Sequence, residues 1–164
     1  MGKNSKILIT GARGLVGIDL IEELKKEGFQ NLIYPTSKEL DLREREQVCS
    51  FFEKEKPDYV FHLAAVVGGI KANMNFPVEF LKNNLLLNTN LIDACFKHNV
   101  KKLINLGSSC IYPKLAEQPL KESSLLSGKF EPTNEGYALS KITSLKLCEY
   151  YNREYNTNFI SLIP

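Results

Sequence analysis

The sequence predicts an α/β fold in which one parallel sheet is covered by helices on both faces. Short apolar runs of strand length alternate along the chain with longer stretches of helical periodicity, and this alternation is typical of such sheets. A glycine-rich turn joins the first apolar run to the first helical stretch, as it does in doubly wound sheets of the Rossmann type. The 164 residues suit one domain, since a chain of this size buries about 70% of its unfolded surface.

The elements follow from these runs in chain order. Ile7–Thr10 is the first apolar run, and Leu15–Lys26 has helical periodicity that ends near Gly28, where a glycine cap would stand. Pro113–Gly136 has no clear periodicity and is expected to be a loop, which at this length is usually functional or mobile. The other predicted strands are Leu32–Tyr34, Tyr59–Leu63, Leu103–Leu106 and Phe159–Ile163, and the other predicted helices are Glu44–Lys54, Val78–Asn99 and Tyr137–Tyr155.

Composition excludes several classes of partner. The net charge is only +2 and the basic residues are scattered, so the chain has no electrostatic footprint for a nucleic acid or a membrane surface. No apolar run approaches the roughly 18 residues of a membrane span, and the first run is too short for a signal peptide. The four cysteines show neither a C-x-x-C pair nor a zinc-ligand spacing, so we expect reduced thiols in a cytoplasmic protein without a metal.

The glycine-rich turn has the pattern G-x-x-G-x-x-G between a strand and a helix. Its glycines allow a tight turn and a close backbone approach to a pyrophosphate, while the helix N-terminus supplies free N–H groups and a positive dipole. In this position the pattern predicts dinucleotide binding rather than an ordinary turn. The predicted cofactor-binding residues of the turn are Gly11, Ala12, Arg13, Gly14, Leu15, Val16 and Gly17.

The tip of the second strand indicates which dinucleotide binds. An NAD site usually has an acidic residue there for the adenosine 2′-hydroxyl, but Tyr34–Lys38 contains no carboxylate and the first one is Glu39. Arg13 in the turn and Lys38 at the tip suit a 2′-phosphate, so the sequence favours NADP. The alternative is that both cations are solvated surface residues.

A candidate catalytic set follows the fourth strand. Ser108 lies at the carboxyl end of that strand, on the sheet edge where open parallel sheets bind ligands. Tyr137 and Lys141 are four residues apart on a predicted helix, which places phenol and ammonium on one face. We expect the ammonium to lower the pKa of Tyr137, which makes the phenol a usable proton donor to a carbonyl oxygen that receives hydride. Tyr34 and Lys38 have the same spacing, but Pro35 excludes a continuing helix between them.

The glycines, the serine and the Tyr/Lys pair in this order resemble the extended short-chain dehydrogenases, a family of nucleotide-sugar epimerases, dehydratases and reductases. Three stretches sharpen the resemblance toward the GDP-L-fucose synthase family: Val67–Ile70, Gly107–Lys114 and Glu131–Glu135. The run Ser-Ser-Cys-Ile-Tyr-Pro within the second of them is the most specific. His62–Ala65, at the end of the third strand, is typical of the wider family, in which it lies beside the cofactor.

This resemblance implies an enzyme that epimerises GDP-4-keto-6-deoxymannose at C3 and C5 and then reduces C4 with NADPH to give GDP-L-fucose. By the same resemblance Cys110 is the acid/base of epimerisation, and Tyr137 donates a proton during reduction. Lys141 then holds the nicotinamide ribose, and Ser108 binds the substrate oxygen. Taken alone, Cys110 could equally be a small buried hydrophobe. The remaining expected cofactor-binding residues are Lys38, Asp41, Leu42, Leu63, Ala64 and Ala65.

Two departures from the family pattern stand in the sequence. Ser37 replaces an arginine that such enzymes can carry for the 2′-phosphate, which weakens the preference for NADP. In the family, a second acid/base histidine and most of the GDP-binding domain lie beyond the last strand, and neither His62 nor His98 occupies that place. Phe159–Ile163 is moreover followed directly by Pro164, so we expect residues 1–164 to be a cofactor-binding domain truncated before the substrate domain.

Several readings stay open. A sister enzyme could act on another GDP-4-keto sugar, such as a 6-deoxyheptose, and could be a reductase only. A 4,6-dehydratase is disfavoured because Ser109 and Cys110 stand where such enzymes tend to have acidic residues. A non-catalytic dinucleotide sensor is disfavoured by the intact Ser108, Tyr137 and Lys141 set.

A homodimer is expected through the helices Val78–Asn99 and Tyr137–Tyr155. Apolar residues spread around more of the first helix than one sheet contact needs, and such a helix is usually buried on two sides. The alternative is a satellite core within one subunit. These residues are Leu81, Leu85, Leu87, Leu91, Ile92, Cys95 and Phe96.

Overall fold

The computed structural model describes residues 1–164 and contains five strands and five α-helices, with one helix between successive strands except after the third strand, which two helices follow. All strand pairs are parallel, and the sheet order is β2-β1-β3-β4-β5. The predicted doubly wound α/β fold is therefore confirmed. The elements are β1 Ile7–Thr10, α1 Leu15–Lys26, β2 Leu32–Ile33, α2 Arg45–Glu55, β3 Tyr59–His62, α3 Ile70–Asn75, α4 Pro77–Lys97, β4 Lys102–Leu106, α5 Glu135–Tyr155 and β5 Phe159–Leu162.

The centre of the sheet determines where a ligand can bind. Strand β1 lies between β2 and β3, and all four of its residues are buried. The order of the strands reverses between β1 and β3, because the chain first adds a strand on one side of β1 and then on the other. In open α/β sheets the crevice at such a reversal is the ligand site, and here the glycine-rich turn opens into it.

Two apolar cores cover the two faces of the sheet. Ile7 and Ile9 of β1 pack with α1, whereas Leu8 points to the other face and packs with α2, α4 and α5. A smaller third core joins the turn after β4 to the start of α5 through Ile111 and Ala138. This third core brings the two halves of the predicted catalytic set together.

Individual residues determine where α1 ends and where α4 begins. After α1, Gly28 has φ +81° and its N–H donates to Lys25 O, while the Phe29 N–H donates to Leu24 O. This is the Schellman arrangement with its apolar contact between Leu24 and Phe29, so the predicted glycine cap is confirmed. Pro77 begins α4 one residue earlier than expected, at a position where the missing N–H costs nothing.

Some elements differ from the prediction. The short helix α3 was not anticipated, and α5 begins two residues before Tyr137. Pro113–Gly136 contains one 3₁₀ turn, Glu122–Ser124, ahead of the start of α5 and is otherwise irregular, as expected. None of the helices is both long enough and apolar enough to cross a lipid bilayer.

Candidate active site

The glycine-rich turn is shaped by close backbone contacts. Gly11 has φ +71°, and a Cβ on it would lie 2.6 Å from the backbone nitrogen of Ala64. A Cβ on Gly17 would lie 2.5 Å from the Gly11 carbonyl oxygen. Gly14 is less constrained, since its Cβ would meet that same oxygen at 3.3 Å. Gly11 and Gly17 are therefore required by the packing of β1, α1 and the loop after β3 against one another.

A groove of about 580 Å³ opens at this turn. It runs between the turn, the loop after β2 and the loop after β3. Nine of the predicted cofactor-binding residues line it: Gly11, Ala12, Arg13, Gly14, Asp41, Leu42, Leu63, Ala64 and Ala65. Lys38 does not line the groove. The lining residues are Thr10–Gly14, Pro35–Ser37, Leu40–Arg43, Leu63–Val67 and Leu87.

Helix α1 begins at the groove, since its N-cap residue Gly14 lines the groove. Gly14 has no side chain that could accept the first N–H groups of the helix, and the first turn carries no acidic residue. The free N–H groups of this turn therefore offer an anion site. Leu15 and Val16 are the predicted binding residues there; their side chains are exposed, and only their backbone can serve this site.

The lining of the groove includes two guanidinium groups. Arg13 was anticipated, whereas Arg43 was missed. Asp41 holds the Arg43 side chain, with Nε 2.9 Å from Oδ1 and the terminal nitrogen 2.6 Å from Oδ2. This pair lowers the pKa of Asp41 through the hydrogen bonds from Arg43. In the sequence, Arg43 stands two positions after Asp41, and this spacing belongs to no binding motif, so no sequence pattern identified Arg43.

The first carboxylate after the tip of β2 is Glu39, as the sequence indicated. Glu39 folds back so that its Oε2 accepts the Thr36 N–H at 2.8 Å. The pKa of Glu39 is lowered by this bond and, to a smaller extent, by the charge of Arg13. The turn after β2 is thus closed by its own acidic residue, which adds one negative charge beside the groove.

Ser108 and Cys110 form one unit at the end of β4. Ser108 caps the 3₁₀ turn Ser109–Ile111, and its Oγ accepts the Cys110 N–H at 3.4 Å and the Cys110 thiol at 3.1 Å. Burial raises the pKa of the half-buried Cys110 thiol, and the bond to Ser108 and the charge of Lys141 oppose that rise only in part. Cys110 is therefore a protonated thiol at neutral pH with a hydroxyl at its side.

Tyr137 and Lys141 lie one turn apart on α5 and face this unit. Lys141 is buried, and its Nζ donates to the Leu106 carbonyl oxygen at 2.7 Å, at the last residue of β4. Burial lowers the pKa of Lys141 to about 8. The structure thus places all four predicted catalytic residues at the carboxyl end of β4, on the same sheet edge as the glycine-rich turn.

The expectation that Lys141 lowers the pKa of Tyr137 is wrong in this structure. Burial, together with the neighbouring Cys110, raises the pKa of Tyr137 to about 12. The Lys141 ammonium lies 5.9 Å from the centre of the Tyr137 ring and is bonded to a carbonyl instead. Burial removes the water that would stabilise a phenolate, and this effect on the pKa of Tyr137 outweighs any stabilisation of the phenolate by the Lys141 ammonium.

A family comparison decides what this geometry belongs to. The model of the NAD dependent epimerase/dehydratase family matches residues 7–164, nearly the whole chain. The chain belongs to that family. This agrees with the predicted resemblance to the extended short-chain dehydrogenases.

Individual members of the epimerase/dehydratase family are similar along the whole chain. GDP-L-fucose synthase 1 of Arabidopsis thaliana is 49% identical over 162 residues, which are 99% of this chain and 50% of that protein. The solved structure of DdhaC has a TM-score of 0.99 at 48% identity, over 100% of this chain and 47% of that one. MlghC, a GDP-mannoheptose C4 reductase from Campylobacter jejuni with NADP bound, has a TM-score of 0.96 at 43% identity, over 99% of this chain and 52% of that one. The chain spans about half the length of the relatives it matches.

The chemistry available to this family member follows from the protonation states. Tyr137 stays protonated throughout the neutral range and can give its proton to a developing alkoxide. Lys141 is itself a buried ammonium at the same edge of the sheet, and it loses its charge near pH 8. The Cys110 thiol, 3.1 Å from Ser108 Oγ, is a group that can exchange a proton with a carbon acid beside a carbonyl.

Proposed function

We propose that this chain is the NADP-binding half of an enzyme that epimerises GDP-4-keto-6-deoxy-D-mannose at C3 and C5 and reduces C4 to give GDP-L-fucose. The observation that carries the proposal is the cluster of a thiol, a serine, a tyrosine and a lysine beside the glycine-rich groove. Epimerisation needs an acid/base beside an acidic carbon, and reduction needs a donor to an alkoxide. Cys110 and Tyr137 supply these two roles, and the similarity to a GDP-L-fucose synthase supports the substrate.

NADP is the proposed cofactor, and the groove fits it. The free N–H groups at the start of α1 suit a pyrophosphate, and Gly11 and Gly17 permit the close packing of β1, α1 and the loop after β3 that forms this part of the groove. Arg13 and Arg43, which also line the groove, suit the 2′-phosphate. When bound, NADPH supplies the hydride for C4. Lys141 is placed to hold the nicotinamide ribose, as the family resemblance implies.

NADPH is expected to bind at least about tenfold more tightly than NADH in a fluorescence titration, because the additional phosphate meets a guanidinium. Arg13→Ser is expected to shrink this difference. Lys129→Ser is the matched control, since Lys129 is an exposed cation that does not line the groove and its loss should leave the ratio unchanged. Equal affinities, or tighter binding of NADH by a folded sample, would refute the NADP assignment.

A second candidate activity is a C4 reductase acting on a GDP-heptose without epimerisation. The observation that favours it is the close similarity to the Campylobacter reductase. The two activities share Ser108, Tyr137 and Lys141 and differ in whether Cys110 acts as an acid/base. Exchange of the C3 and C5 hydrons with solvent separates them. A non-catalytic sensor has no need of a buried lysine opposite a buried tyrosine and is not supported.

The domain and the compartment are part of the same proposal. Residues 1–164 form the cofactor domain, and the substrate domain with the second acid/base histidine belongs to the other half of the protein, so turnover is expected only from the complete protein. A cytoplasmic location is supported by four free cysteines, two of which are buried in the apolar core.

A homodimer through α4 and α5 is proposed, although much of the apolar surface used to predict it is taken up within the chain. Leu87, Leu91 and Cys95 are buried in the core under the sheet. The support comes from Leu86 on α4 and Leu139 on α5, each 37% exposed.

The complete protein is expected to be a dimer at micromolar concentration by light scattering, and Leu86→Asp is expected to shift it toward the monomer because a carboxylate would enter an apolar contact. Ile18→Asp is the matched control, since Ile18 is an exposed apolar residue on α1. A monomeric wild-type protein would contradict the proposal.

A further inference from the structure

A chain of buried hydrogen bonds connects the glycine-rich turn to α5. His62, the last residue of β3, is fully buried. Its Nδ1 lies 2.8 Å from the hydroxyl of Thr10, the residue at which β1 enters the turn. Its Nε2 lies 2.9 Å from Oδ1 of Asn88 on α4. The amide nitrogen of Asn88 in turn donates to the carbonyl oxygen of Ser140 at 3.4 Å.

The direction of every bond in this chain is determined. Because the Asn88 amide nitrogen faces a carbonyl, its oxygen must face His62, so His62 carries its proton on Nε2. Nδ1 is then an acceptor, and the Thr10 hydroxyl donates a hydrogen bond to it. The Thr10 oxygen in turn accepts a hydrogen bond from the Ala64 N–H at 3.3 Å. Burial and the charge of Lys141 lower the pKa of His62 to about 3, which keeps the ring neutral. The reverse direction would set the Asn88 oxygen against the Ser140 carbonyl.

The face of α5 that meets this chain of bonds is partly polar. Its buried residues around the site are Ala138, Ser140, Lys141, Ile142 and Ser144, and Ser144 is bonded to Asn105 of β4 at 3.2 Å. Apolar packing of Ala138 and Ile142 holds this helix against the turn after β4. Hydrogen bonds are directional, so those at Ser140 and Ser144 add a fixed position along the helix to this packing. Ser140 stands between Tyr137 and Lys141 on the same helix.

We propose that His62 and Asn88 are positioning residues that fix Tyr137 and Lys141 relative to the glycine-rich turn. The proposal rests on the proposed function, because it concerns a dinucleotide that spans the turn and α5. Neither residue lines the groove, so each acts through the helix that it holds. Removal of the Asn88 amide breaks the link to α5 and leaves the Thr10 end, next to the turn, bonded to His62.

Two probes separate the two ends of the groove. Adenosine 2′,5′-bisphosphate occupies only the end at the turn and the loop after β2, whereas NADPH also reaches Tyr137 and Lys141. Asn88→Leu, which keeps the size of the side chain, is expected to weaken NADPH about tenfold and to leave the bisphosphate within about twofold. Asn83→Leu is the matched control on α4, since Asn83 is half-buried and has no hydrogen bond to break. If Asn88→Leu does not fold, Asn88→Ser, which is too short to reach Ser140, is measured in the same way.

The tautomer of His62 is tested independently of any ligand. The chain has only two histidines, so ¹⁵N spectra of the ring nitrogens are readily assigned, with His98 at the end of α4 as the reference. The expected result is a single neutral form protonated on Nε2. Protonation on Nδ1, or equal weakening of both probes by Asn88→Leu, would overturn the positioning role. Failure of the wild-type chain to bind either probe would instead refute the proposed function, and the tautomer would then decide whether the buried chain of bonds runs as described.

Discussion

Replacing Tyr137 by phenylalanine in the complete protein is expected to slow reduction at C4 by about a hundredfold or more while NADPH still binds. A general acid contributes about 10² to 10⁴ to such a step, and phenylalanine keeps the ring but has no proton to give. The pKa of about 12 means that nearly every wild-type molecule carries this proton at neutral pH. Single-turnover oxidation of bound NADPH measures the step directly, and a titration checks that the cofactor site is intact.

The matched control is Tyr151→Phe on the same helix. The Tyr151 hydroxyl is 3.3 Å from Asp93 and belongs to an aromatic cluster with Phe96, away from the turn after β4. Its loss is expected to leave reduction unchanged within about twofold. Near-normal reduction by Tyr137→Phe would show that another group protonates the oxygen.

Cys110→Ser is expected to slow exchange of the C3 and C5 hydrons with deuterated water by about a hundredfold, because a serine hydroxyl is a much weaker acid than a thiol. Hydride transfer is expected to survive, since Ser108, Tyr137 and Lys141 are unchanged. The variant would then reduce ketone that has not been epimerised and yield a GDP-6-deoxyhexose of altered stereochemistry. Mass-spectrometric counting of deuterium in the recovered sugar measures the exchange.

A packing role for Cys110 has a different signature. A serine there would place a hydroxyl in a half-buried site, and stability would fall by about 1 kcal/mol while exchange and reduction declined together. A thermal melt run beside the deuterium count distinguishes the two roles. Cys49→Ser on α2 is the control for a half-buried thiol far from the site. Undiminished deuterium uptake by Cys110→Ser would refute the catalytic role of Cys110, whereas the absence of uptake in the wild-type protein would favour the reductase alternative.

Local patterns were sufficient to predict most of the fold. β1 and α1 begin and end at the predicted residues, because an apolar run, a glycine turn and a Schellman glycine all act within a few positions. α3 was missed because Ile70–Asn75 is too short for a period to be visible. It depends instead on a tertiary contact with α4, where a Cβ on Gly68 would strike the ring of Phe80 at 2.7 Å.

The site shows a similar division. The order of Ser108, Tyr137 and Lys141 predicted which residues meet, since the carboxyl ends of parallel strands share one edge. The pKa of Tyr137 was predicted in the wrong direction because it depends on how deeply the tertiary structure buries the ring, which no local pattern shows. Asn88 is one of several asparagines on α4, and no pattern along the chain indicates which of them faces a histidine.

Because of the close contact between Gly11 and Ala64, some residues of the groove cannot be replaced during evolution, whereas others can. Any side chain at position 11 must both strain the backbone and push the loop after β3 aside, so no single second change compensates for it. Arg13, two positions along, is exposed and bears no such constraint. The residues that recognise the adenosine phosphate can therefore be replaced without changing the backbone of the glycine-rich turn that binds the pyrophosphate. Divergence of cofactor preference among descendants of this sequence should accumulate at Arg13 and Arg43, while positions 11 and 17 remain glycine.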